Sequence, residues 1–101
     1  MRNIRVLDDA ANDLIAARRF YEAIEIGVGD YCADSLVADI ESIAFFHGIH
    51  SLHFGCHRML ASRFPFGIYY VDTSVETQVV AVLDLRRDPN WIRDELTRRA
   101  G

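Results

Sequence analysis

Hydrophobic and polar positions change their period three times along this chain. Residues 2–7 form a short run with Ile4, Val6 and Leu7 that stops at Asp8-Asp9, which reads as a first strand feeding a helix with either aspartate as its cap. From Ala10 to Ile26 the apolar residues Leu14, Ala17, Tyr21 and Ile24 recur at spacings of three and four, while Arg18, Arg19, Glu22 and Glu25 fall elsewhere, so one helical face is apolar. Gly27 and Gly29 interrupt that pattern. A second helix is predicted from about Asp30 to Phe46, with Cys32, Leu36, Ile40 and Ile43 in one stripe and Asp34, Asp39 and Glu41 outside it. Two such helices joined by a tight turn form an antiparallel hairpin.

After a loop containing Gly48 and Gly55 the pattern turns strand-like. Cys56–Ser62 alternates, Phe66–Asp72 is rich in β-branched and aromatic residues, and Gln78–Leu85 is nearly all Val, Ala and Leu. A run that is apolar on successive residues needs cover on both faces, which places the last strand inside the sheet. Asp72-Thr73-Ser74 supplies a hairpin turn, and Asp88-Pro89 supplies a helix cap and first residue before Trp91, Ile92 and Leu96. The predicted order is β-α-α-β-β-β-α: an α+β fold with its helices on one face of a small, mainly antiparallel four-stranded sheet.

Composition sharpens this picture. The chain has 101 residues, half of them hydrophobic, which suits one domain spanning 1–101 whose core needs no metal or disulfide. Cys32 and Cys56 are expected as reduced thiols, and the lack of a long apolar stretch predicts neither an export signal nor a membrane span, hence a cytoplasmic protein. The formal net charge of −4 argues against binding nucleic acid through bulk positive charge. That sum hides an asymmetry, because residues 1–57 hold four Arg against nine acids and residues 58–101 hold seven Arg against six acids. All eleven basic residues are Arg, so no mechanism here can use a lysine.

His47, His50, His53 and His57 lie close together beside Cys56 and raise the question of zinc. Structural zinc sites pair closely spaced ligands from two separated elements, and a three-residue repeat in a single loop lacks that arrangement. The better expectation is a loop whose imidazoles share protonation near about pH 6 to 6.5, with no metal and no cofactor. Arg58 and Arg86 are expected on one sheet face with Asp84, where an Arg58–Asp84 bridge competes with a partner-binding role.

Several segments carry a family likeness. They are Ala11-Asn12-Asp13-Leu14 with Phe20-Tyr21-Glu22, Gly55-Cys56-His57-Arg58-Met59-Leu60, Arg63-Phe64-Pro65-Phe66-Gly67-Ile68-Tyr69-Tyr70, and Val82-Leu83-Asp84-Leu85-Arg86-Arg87-Asp88-Pro89 with Trp91-Ile92. In their order and spacing the chain resembles the toxins of type II toxin-antitoxin modules in the RelE and ParE superfamily, also called plasmid stabilisation proteins. The resemblance implies a small toxin held by a cognate antitoxin, as a hetero-oligomer or a homodimer, with Leu14, Tyr21 and Ile24 as antitoxin-binding candidates. It divides into two biochemistries.

RelE-like members are ribosome-dependent mRNA endonucleases, whose chemistry needs a base, an acid and cations around the phosphorane. Arg58, Arg63 and Arg86 are the candidate cations for that reading, with His57 or a strand tyrosine moving protons. No Tyr or His follows the last strand, where such members usually carry one, and Arg is too basic to exchange protons near neutrality. ParE-like members inhibit DNA gyrase by binding and need no catalytic residue. The Arg-Arg-Asp-Pro end of the last strand resembles that branch, with Arg58, Arg63, Arg86, Arg87 and Trp91 as target-binding candidates. A third reading is an inactive toxin-like binding module that persists as the partner of an antitoxin.

Overall fold

The computed structural model describes residues 2–100. Its elements run β1 (Ile4–Val6), α1 (Asp8–Ile24), α2 (Val28–Phe46), β2 (Leu52–His53), β3 (Cys56–Leu60), β4 (Phe66–Asp72), β5 (Thr77–Asp84) and α3 (Pro89–Ala100). The strands form one sheet in the order β1-β5-β4-β3-β2, with β1 parallel to β5 and the other pairs antiparallel. The α+β order is as expected, but the sheet has five strands, because the two-residue β2 pairs with the start of β3. Two residues are too short to show an alternation, so no sequence pattern could reveal it.

Local chemistry sets the helix boundaries. Leu7 occupies the cap of α1 without a side-chain bond, so Asp8 and Asp9 are not caps; they lie in the first turn, where a carboxylate favours the positive end of the helix dipole. At the turn between the helices the Glu22 carboxylate accepts the backbone N–H of Gly27 and of Gly29, capping α2 from the neighbouring helix. Gly29 is required by space: a Cβ there would lie 2.5 Å from the Arg18 carbonyl oxygen and 2.7 Å from the Glu22 Cβ. Asp88 behaves as expected, its side chain accepting the Asn90 N–H at 2.8 Å to open α3 behind Pro89.

The sheet is covered on both faces, which corrects the expectation that all helices share one. Ala10, Ala17, Cys32, Leu36, Ile40 and Ile43 of the hairpin pack on Phe66, Ile68, Tyr70, Val79 and Val82. The opposite residues of the same strands, Tyr69, Ala81 and Leu83, pack with Cys56 against Ile92 and Leu96 of α3. A strand apolar at every position exposes one row to each side, and α3 is the cover that the hairpin cannot provide. The pairing slips between Tyr69 and Tyr70, which face Ala81 and Val79, so Val80 is the extra residue of a β-bulge.

Asp39, predicted outside its helix's apolar stripe, is buried, where it accepts the Ser62 N–H at 2.9 Å and the Ser62 hydroxyl at 3.2 Å. It thereby fastens α2 to the β3–β4 connection. Both cysteines are free and buried, and they occupy the two different cores.

Candidate functional site

The strands carry two chemically distinct ends. β4 starts at Phe66 beside the arginine-bearing segments and ends at Asp72 beside the histidine loop, so about 20 Å of strand separates the two.

At the Asp72 end the four histidines are bound one by one. His47 Nδ1 meets the Asp72 carboxylate at 3.1 Å, His53 Nε2 meets the Ser51 hydroxyl at 3.1 Å, and His57 Nδ1 donates to the His50 carbonyl oxygen at 2.6 Å. His50 Nδ1 bonds the hydroxyl of the buried Tyr70, which also accepts the Gly48 N–H, and the His57 ring stacks on the Tyr70 ring. Burial, then the nearby His57, pulls the His50 pKa below its usual range, and burial pushes the Tyr70 hydroxyl up. Among the described residues no three His, Cys, Asp or Glu side chains converge as metal ligands. The loop is held in place by its own imidazoles.

At the Phe66 end the arginines lie among aromatic rings. Arg63 donates to the Tyr31 hydroxyl at 2.9 Å and lies over that ring, Tyr31 and Tyr21 both meet Phe64 edge-on, and Tyr21 also meets Phe20. Arg86 is held charged foremost by Asp84, whose carboxylate lies 2.6 Å from its guanidinium. That guanidinium in turn holds the Asp84 carboxyl below the ordinary range. Arg87 lies over the Trp91 ring, 3.5 Å from its centroid. A cleft of about 430 Å³ opens next to it between α1 and the start of α3, lined by Phe20, Ala16, Val82, Asp84, Arg87 and Trp91.

Arg58 stands apart from this group. It pairs with Tyr69, on the face covered by α3, whereas Asp84 pairs with Phe66, on the hairpin face. An Arg58–Asp84 bridge is therefore excluded, and the carboxylate is taken by Arg86. The strand register that decides this is invisible in any one strand. The Arg58 side chain crosses Gly67, where a Cβ would come within 3.3 Å of its Cδ, and its Nε is buried with no hydrogen-bond partner. Its guanidinium partly offsets the burial that raises the Tyr69 hydroxyl.

The structure thus gathers Arg63, Arg86, Arg87 and Trp91 at one end and leaves Arg58 on a different face and His57 toward the other end. Of the antitoxin-binding candidates, Leu14 and Tyr21 pack inward on the hairpin core and Ile24 is exposed. Sequence reading missed Phe20 and Tyr31 as surface aromatics, both being about half exposed. It also missed the pairing of Asp13 with Arg99, which joins residues 86 apart and has no local signal.

No helix among the described residues is long and apolar enough to cross a membrane. No family model matches the sequence, and no curated protein does. A solved chain of the chromosomal ParDE TA system from P. aeruginosa does match in structure, with a TM-score of 0.72 at 20% sequence identity, over 81% of this chain and 94% of that chain. The β-α-α-β-β-β-α core, hairpin on one face and C-terminal helix beyond the last strand, is the fold of a ParE-like toxin.

Proposed function

We propose that this chain is the toxin component of a bacterial type II toxin-antitoxin system, that it acts in the cytoplasm by binding and inhibiting DNA gyrase, and that a cognate antitoxin neutralises it. The observation that carries this reading is the separation of the two ends of the sheet. The cations Arg63, Arg86 and Arg87 share a surface with aromatic rings, the composition of a protein-binding hot spot. The imidazoles are committed to a loop toward the far ends of the strands, and His57 and Arg58 project to opposite faces. A ribonuclease needs its proton-transfer groups and its phosphate-binding cations around a single scissile bond. That separation favours a binding toxin, and no catalytic residue is assigned.

Purified protein should block gyrase supercoiling, with trapped DNA cleavage as a second readout, and should leave mRNA intact in a translation extract. Arg87→Ala, which removes the cation over Trp91 from the rim of the cleft, should weaken inhibition by about tenfold or more without altering the fold. Codon-positioned mRNA cuts without any effect on gyrase would assign the chain to the endonuclease branch. Silence in both assays, with harmless expression, would identify an inactive binding module.

A further inference from the structure

α3 is held by little apolar surface. Only Ile92 and Leu96 are buried, with Trp91 partly so, and the rest of the helix is polar. Its last full turn carries a stronger attachment. The Arg99 side chain, 8% exposed, makes two bonds to the Asp13 carboxylate, at 2.6 and 2.9 Å, one to Glu95 at 2.8 Å and one to the Val80 carbonyl oxygen at 3.2 Å. Asp13 also accepts the Val82 N–H at 2.9 Å.

These contacts meet at a particular place. β1 pairs only with Thr77–Val79, so from Val80 onward β5 has no strand on that side, and the bulge at Val80 leaves a carbonyl outside the ladder. A carboxylate from α1 on one face and a guanidinium from α3 on the other reach around this open edge, satisfy its backbone groups and close on each other. Asp13 also borders the cleft of Arg87 and Trp91, so the clamp and that surface share a residue.

We propose that Arg99 is a positioning residue: by clamping α3 to α1 around the open edge of β5, it holds the Arg87–Trp91 arm at the cleft. The functional half of this inference rests on the target-binding reading above. The mechanical half stands on its own, because α3 opens as a unit once the clamp is cut while the hairpin core stays closed.

The two cysteines allow a direct test, since Cys56 belongs to the core that Ile92 and Leu96 of α3 complete and Cys32 belongs to the hairpin core. Labelling with a thiol reagent in native buffer, resolved by peptide mass spectrometry, reports the two openings separately. Arg99→Ala should speed Cys56 labelling by about tenfold or more and leave Cys32 labelling unchanged. Arg99→Lys, which keeps the charge but not the planar fork, should give an intermediate rate. Asp13→Asn, which retains an acceptor for the Val82 N–H, should resemble Arg99→Ala. Inhibition of gyrase should fall in the same order as Cys56 exposure rises. If both cysteines accelerate together, α3 is not an independent unit and the inference fails. Selective Cys56 exposure with undiminished gyrase inhibition would overturn the functional half, the positioning role of Arg99. If the unmodified protein does not inhibit gyrase, the target reading fails, and the labelling ratio alone decides whether the clamp exists.

Discussion

The two faces of the sheet are covered in opposite ways. On one, two helices of 17 and 19 residues bury an unbroken apolar stripe against β4, β5 and β1. On the other, a single polar helix of 12 residues places two apolar side chains on the sheet and depends on a buried guanidinium for the rest of its hold. Apolar burial is non-directional and scales with area, so the hairpin face tolerates small displacements. A bidentate ion pair is directional and fails when one partner is lost. The same fold therefore combines a core that sets global stability with an arm whose position is controlled by a few charges.

The largest effect that separates the faces should come from Leu36→Ala. Leu36 is fully buried in the hairpin core, and its truncation should lower unfolding stability by about 2 to 5 kcal/mol, measured by urea denaturation. Both cysteines should become more reactive, because the global transition exposes both cores. Equal protection of Cys32 in this variant and the unmodified protein would contradict the assignment of global stability to the hairpin face.

Gly29→Ala should come next. The added Cβ meets the Arg18 backbone oxygen at 2.5 Å, which a side-chain rotation cannot relieve, so the helices must part at their tight end. A loss of about 1 to 3 kcal/mol is expected in the same denaturation experiment. Helix content should persist by circular dichroism.

Leu96→Ala removes a side chain as well buried as Leu36, yet its effect on the global transition should be smaller. The cost at that transition cannot exceed the free energy that docks α3, because beyond that limit the helix detaches and the hairpin remains folded. Hydrogen exchange should show α3 amides losing protection while α2 amides keep theirs. Loss of protection in both helices would show that the two faces form one cooperative unit.

The sequence made the hairpin face legible and the α3 face only partly so, for a physical reason. Leu36, Ile40 and Ile43 announce their side of α2 by spacing alone, and Phe66–Asp72 matches the predicted strand residue for residue. The continuous apolar run of β5 implies cover on both faces, but Ile92 and Leu96 form too narrow a stripe to name α3 as the second cover. Face assignments across strands failed for Arg58 and Asp84 because the register between strands is a tertiary property. Asp39 looked solvated because a buried carboxylate and an exposed one occupy the same helical spacing, and only the Ser62 donors distinguish them. At the site, the concentration of arginine after residue 57 pointed to the end where Arg63, Arg86 and Arg87 meet. The clamp between Asp13 and Arg99 had no such signature.

The smallest and most local effect should come from acid, and it tests the comparison through Glu95. Hydrogen bonds from Arg98 first and Arg99 second, working against burial, bring the Glu95 carboxyl down from 4.5 to about 2. A carboxylate whose folded value is depressed adds stability that is fully present above the unfolded value near 4.5 and is lost as pH falls through that window toward 2. Protonating Glu95 withdraws one of the two carboxylates that hold Arg99, and it leaves the Asp13 half of the clamp in place. Between pH 5 and pH 3, α3 should therefore loosen before the hairpin does. Because thiol labelling slows in acid, the readout is hydrogen exchange corrected for its intrinsic pH dependence, with α3 amides losing protection ahead of α2 amides. Glu95→Gln should flatten the α3 profile over this range. A profile unchanged by that substitution would remove Glu95 from the group that holds the arm, leaving Asp13 as the sole carboxylate through which Arg99 acts.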